Sequence, residues 1–162
     1  MAREISINLD INGHRTDVTI SANQTLLEVL RGLDYFDVKS GCEKGDCGAC
    51  AVLVDGTAVD SCLTLAATAN GKQITTVSGL GKSGELHPLQ EAFIELGSIQ
   101  CGYCTPGLII AAKSLLNETP DPTDDDLRLA LSGNLCRCTG YTKVFDAIHA
   151  AARVMRGEGD RQ

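Results

Sequence analysis

The chain has 162 residues, 43% apolar and 22% charged, with a formal charge of −7 from 14 Lys and Arg against 21 Asp and Glu. That length suits one ordinary domain or two small ones, and the composition argues against a disordered tail. Acidity with only 4% aromatics argues against a nucleic-acid binder; no window approaches the roughly 18 apolar residues of a membrane helix, and no basic-then-apolar segment opens the chain, so a cytoplasmic protein without membrane insertion is expected.

In chain order, Ile5, Ile7, Leu9 and Ile11 alternate with polar residues, Asn12-Gly13 carries the signature of a type I′ turn, and Thr16, Val18 and Ile20 continue the alternation. Thr25 and Glu28 form the pattern of a capping box, and Leu26, Leu27, Leu30 and Leu33 make one apolar helix face. Ala51 to Val54 and Thr57 to Val59 flank the turn pair Asp55-Gly56, and Gln73 to Val77 reads as a last strand. Hairpin, helix, cysteine loop and further strands predict a β-grasp arrangement over residues 1–79. At Ser78 to Gly84 three glycines in seven residues mark a linker, and the spacing of a phosphate loop is absent from it.

Residues 84–157 read as helical. Pro88 starts a helix that runs to Leu96 and ends at Gly97. Thr105 as cap and Pro106 behind it open an apolar helix from Gly107 to about Asn117, which Pro120 and Pro122 break. Thr123 caps a helix whose first turn holds Asp124, Asp125 and Asp126; the three acids suit its positive end and form a solvated face, not a metal site. That helix should finish near Ser132-Gly133. The last runs from Thr142 to Arg156, with Val144, Phe145, Ile148, Ala152 and Met155 on one side. Four short helices predict a bundle, and the chain as a whole is α+β.

The cysteines carry the chemistry. Cys42, Cys47, Cys50 and Cys62 follow C-x4-C-x2-C-x11-C; Cys101, Cys104, Cys136 and Cys138 follow C-x2-C-x31-C-x-C. Disulfide scaffolds are usually shorter and arrive with a secretion signal, and Cys47 and Cys50 stand too close for easy bridging within one turn. Two C-x2-C pairs could be halves of zinc sites. Three cysteines within nine residues followed by a distant fourth are instead the spacing of a plant-type [2Fe–2S] loop. Glycines at 41, 45 and 48 let backbone N–H groups turn toward an anionic cluster. For the second set the spacing leaves zinc and iron–sulfur both open. His14, His87 and His149 are scattered, expected at the surface or its boundary, and offer no acid–base constellation.

Gly41-Cys42-Glu43-Lys44-Gly45-Asp46-Cys47-Gly48-Ala49-Cys50, Gln100-Cys101-Gly102-Tyr103-Cys104-Thr105-Pro106-Gly107 and Gly133-Asn134-Leu135-Cys136-Arg137-Cys138-Thr139-Gly140-Tyr141 together resemble the iron–sulfur small subunit of molybdenum hydroxylases, the xanthine dehydrogenase and aldehyde oxidoreductase family. The likeness spans about Ile5 to Met155. It implies a plant-type ferredoxin domain over 1–79, its [2Fe–2S] cluster held by Cys42, Cys47, Cys50 and Cys62. It implies a four-helix bundle over 84–157, with a second cluster on Cys101, Cys104, Cys136 and Cys138. It further implies a large partner subunit holding molybdenum on a molybdopterin dinucleotide, a medium subunit holding FAD, and a dimer of such heterotrimers.

Within that resemblance Gln100 aligns with a glutamine whose amide bonds the pterin, and Cys138 with the ligand nearest the pterin edge. Arg137, between two ligands, either moderates cluster charge or forms a surface ion pair. Ala51, where many relatives have threonine, and Tyr35 to Val38, in place of a commoner glycine-containing lead, depart from the pattern without touching a ligand. The implied role is non-catalytic: electrons leave the molybdenum site one at a time and pass through both clusters toward FAD or another acceptor. The rival readings are a free-standing ferredoxin-like shuttle, which would have no use for Gln100 or the Cys-Arg-Cys turn, and a zinc-binding adaptor.

Overall fold

The computed structural model describes residues 3–82 and 84–158; residues 1 and 2 of the expected first domain and Ser83 of the expected linker lie outside it. Strands β1 (Glu4–Ile11) and β2 (His14–Ser21) pair antiparallel across Asn12-Gly13, both at positive φ, as the turn chemistry requires. Helix α1 (Leu26–Gly32) starts at the expected capping box: Glu28 N–H donates to Thr25 Oγ1, and Thr25 N–H donates to the Glu28 carboxylate at 2.7 Å. Strands β3 (Ala51–Val54) and β4 (Thr57–Asp60) form the second hairpin.

Strand β5 (Gln73–Thr75) stops short of the expected Val77. Thr76 N–H is taken by the Asn12 side chain at 2.9 Å, and Val77–Gly79 turn into a short 3-10 helix. The sheet order is β2-β1-β5-β3-β4, with β5 parallel to β1 and antiparallel to β3, the β-grasp order. Ile7, Leu9, Ile11, Val52 and Ile74 close on Leu26, Leu27, Val29 and Leu30 of α1. Leu33, expected on that face, is the helix C-cap and only partly buried, and Val29 takes its place.

Four helices follow: α2 (Pro88–Glu95), α3 (Thr105–Glu118), α4 (Asp124–Ala130) and α5 (Thr142–Met155). The expected Thr105 cap is not formed. Cys104 occupies the N-cap of α3, Thr105 is already helical, and no side chain caps the end. Helix α4 ends at Ala130, before Ser132, and α5 packs through Val144, Ala147, Ile148, Ala151 and Ala152, leaving Met155 exposed in its last turn. His87, expected at the surface or boundary, is half-buried and has a job: its ring nitrogen Nδ1 accepts from Leu89 N–H at 3.2 Å and caps α2.

Strand β3 is buried on both faces. Val52 faces the sheet–α1 core, while Ala51 and Leu53 belong to the core formed with Leu108, Ile110 and Ala112 of α3. Helix α3 is also tied to the β3–β4 hairpin, with Ala58 N–H donating to Ser114 Oγ at 3.0 Å and the Asn117 amide to Gly56 C=O at 3.3 Å. Among the described residues no helix is long and apolar enough to cross a membrane.

Candidate metal centres

The first cysteine set lies on the loop between α1 and β3 and just after β4. Lys44 and Asp46 donate their backbone N–H groups to Cys42 Sγ at 3.4 and 3.3 Å, aimed inward by Glu43 and Gly45 at positive φ. A Cβ on Gly41 would stand 2.8 Å from Cys47 Sγ, so that sulfur occupies the space of the missing side chain. Cys50 and Cys62 are buried beneath, and Ser61 Oγ donates to Cys50 C=O at 2.7 Å. The Lys44 N–H above all brings the Cys42 thiol down to about 7, whereas burial, with Cys62 and Asp60 beside it, pushes Cys50 up to about 12.

The second set lies at the N-terminus of α3 and between α4 and α5. Cys101 and Cys138 are exposed with their sulfurs 3.7 Å apart; Cys104 and Cys136 are half-buried. Burial pushes Cys104 up to about 12, and the neighbouring Cys101 sulfur raises Cys138. Burial would raise Cys136 too, but the Thr139 hydroxyl and N–H, donating to its sulfur at 3.1 and 3.3 Å, outweigh it and hold that thiol low. Tyr141, at φ 67°, closes the turn: its hydroxyl accepts from Cys136 N–H at 2.7 Å and donates to Asn134 C=O at 2.8 Å.

The two sets are joined directly. Leu135 N–H donates to Cys47 C=O at 3.0 Å, the buried Asn134 amide donates to Gly48 C=O at 3.2 Å, and the Tyr103 hydroxyl donates to Ser40 C=O. Sequence reasoning missed this junction; its one legible trace is that Tyr103, Asn134 and Leu135 sit inside the cysteine motifs. Gln100 is exposed beside Cys101, and its side chain makes no hydrogen bond within the described residues. Arg137 is exposed between its two cysteines, and the ion pairs among the described residues do not include it.

All eight cysteines are free, and their side chains draw together two by two: Cys42 with Cys47, Cys50 with Cys62, Cys101 with Cys138, Cys104 with Cys136. Among the described residues no three His, Cys, Asp or Glu side chains converge as one metal-ion site. The 3.7 Å sulfur separation matches one edge of a tetrahedron built from metal–sulfur bonds of about 2.3 Å. Pairs of thiols side by side suit a two-iron group, where each iron takes two protein thiolates, better than a single ion needing four around one point. Donor chemistry and inward N–H groups therefore fit [2Fe–2S] clusters at both sets.

Comparison with known proteins agrees with that chemistry. Residues 9–80 match the 2Fe-2S iron-sulfur cluster binding domain, and residues 76–149 match a separate [2Fe-2S] binding domain. The chain is 47% identical over 149 residues to the nicotinate dehydrogenase small FeS subunit of Eubacterium barkeri, covering 91% of this chain and 95% of that protein. It is 46% identical to the xanthine dehydrogenase iron-sulfur-binding subunit of Escherichia coli O157:H7, covering 89% and 92%. In structure it matches the aldehyde oxidoreductase of Desulfovibrio gigas with a TM-score of 0.92 at 42% identity, over 96% of this chain and 18% of that longer one.

Proposed function

We propose that this chain, which belongs to the iron–sulfur small subunits of the molybdenum hydroxylase (xanthine dehydrogenase and aldehyde oxidoreductase) family, is the electron relay of a multi-subunit oxidoreductase. The ligands are Cys42, Cys47, Cys50 and Cys62 for one [2Fe–2S] cluster and Cys101, Cys104, Cys136 and Cys138 for the other. Each cluster, when bound, supplies a one-electron site; everything else is the work of this chain's residues. Electrons come from a molybdopterin-bound molybdenum in a large partner subunit and go on to FAD in a medium subunit or to another acceptor. The chain divides into a ferredoxin-like domain over 1–79 and a four-helix bundle over 84–157, and works in the cytoplasm in a dimer of heterotrimers.

The observation that carries this reading is the junction between the cysteine sets. Leu135 N–H bonds Cys47 C=O, so a ligand residue of one set is one hydrogen bond and one peptide away from Cys136 of the other. That contact holds the two sites at a fixed separation, as a relay needs. At the second set, exposed Cys101 and Cys138, with exposed Gln100 beside Cys101, offer a face that a pterin-bearing partner can cover. Gln100 then donates its amide to the pterin, and Cys138 is the sulfur nearest the incoming electron.

The test is metal analysis and EPR of the dithionite-reduced native complex, isolated through a tag on this chain. Two distinct S = 1/2 signals, about four irons per chain and co-purifying molybdenum are expected. A single iron–sulfur signal, with zinc at Cys101, Cys104, Cys136 and Cys138, would sink the relay. A chain that purifies alone with both clusters and no molybdenum would make it a free shuttle instead.

A further inference from the structure

We infer that the Thr139 hydroxyl sets the reduction potential of the C-terminal centre by donating a hydrogen bond to the Cys136 sulfur; this rests on the reading of Cys136 as a cluster ligand. Thr139 Oγ1 lies 3.1 Å from Cys136 Sγ. The direction of that hydroxyl is determined by its neighbour. Tyr141 N–H donates to Thr139 Oγ1 at 3.2 Å, which occupies an oxygen lone pair and leaves the hydroxyl proton for sulfur. Tyr141 is held in turn by Cys136 N–H at 2.7 Å and Asn134 C=O at 2.8 Å, so the residue that orients Thr139 is anchored to the same turn that carries the ligand.

The N-terminal set is built differently. Its sulfur donors are the backbone N–H groups of Lys44 and Asp46, and among the described residues no side-chain hydroxyl donates to a sulfur there. A side-chain substitution can therefore remove a sulfur donor from one centre and leave the other as an internal control. Hydrogen bonds to an ionised acceptor strengthen as its negative charge grows. Reduction adds one electron to a two-iron centre, supplied by dithionite in a titration; no covalent bond breaks and the hydroxyl proton stays on Thr139 Oγ1. The hydroxyl therefore favours the reduced state and raises the potential, one of the ways a protein tunes such a centre.

The experiment is an EPR-monitored dithionite titration of the native complex carrying wild-type, Thr139→Val or Thr139→Ser chain. The C-terminal signal is assigned as the one that Cys138→Ser alters. Thr139→Val should lower the reduction equilibrium constant of that centre about tenfold, roughly 59 mV for a one-electron couple, without moving the other centre. Thr139→Ser, which keeps the hydroxyl, should stay near wild type. An unmoved C-terminal potential in Thr139→Val, with both signals present, overturns the inference and leaves the relay standing. If wild type itself lacks a second iron–sulfur signal, the relay fails and the inference with it. Should Thr139→Val not assemble its C-terminal cluster, the same titration of Thr139→Ala decides: a lowered C-terminal potential supports the hydroxyl donor, and an unmoved one overturns it.

Discussion

Gly107 stands in the first turn of α3, where the first cysteine loop passes closest to the helix. A Cβ there would collide with the carbonyl of Gly48, a main-chain group that cannot swing aside, and would crowd the Asn134 amide that bonds the same carbonyl. Gly107→Ala should therefore push the two cysteine sets apart, at a cost of about 1–3 kcal/mol as for other overpacked sites. For a chain of this size that lowers the melting temperature of the complex by several degrees. Gly133→Ala is the control, since a Cβ there meets nothing and its φ needs no glycine. Equal melting of the two variants would mean that the loops adjust freely. The cysteine runs stand out in the sequence because each is local, C-x4-C-x2-C, C-x2-C and C-x-C. The reason for glycine at 107 was not legible, because the group it makes room for lies 59 positions away in the chain.

Helix α2 shows what element-level reading captures and what it loses. Pro88 and Gly97 correctly bracket it, since both act on their own backbone. His87 escaped notice as its cap because histidine is seldom one; the role depends on a neutral Nδ1 facing Leu89 N–H. Burial, and then the charge of Lys113 on α3, hold the His87 pKa below its ordinary value. The unfolded chain therefore takes up a proton first, and stability falls as pH drops below about 6.5 toward the lowered folded value. His87→Asn keeps a good cap without titrating. Its melting temperature should change less than that of wild type between pH 8 and pH 6, and parallel pH curves for the two would refute the role. The same contrast explains α3, where Thr105-Pro106 reads as a cap but the cysteine turn brings Cys104 into that position instead.

At the scale of the molecule the two halves share a strand. The run Ala51-Val52-Leu53-Val54 reads in sequence as one arm of a hairpin, and nothing local says that α3 covers its second face. The regular elements thus support one another through apolar burial, with sheet, α1 and α3 in continuous contact through β3. The cysteine loops have less of it: the segment between α1 and β3 and the turn between α4 and α5 contain no regular element, and besides Val38 and Cys50 in one core and Cys136 and Tyr141 against the other, a few hydrogen bonds hold them. In the absence of iron the closed arrangement loses its metal cross-link, and the Cys101 sulfur opposes ionisation of Cys138 beside it. Removing the clusters should therefore loosen the loops selectively. Hydrogen exchange of cluster-loaded and iron-stripped protein should differ most at residues 40–50, 99–104 and 133–141, while β1, β3 and α3 stay protected in both. Uniform loss of protection would show that the clusters hold the apolar cores as well. Unchanged loops would show that the hydrogen bonds from Leu135, Asn134 and Tyr103 suffice to keep the two sites in place without metal.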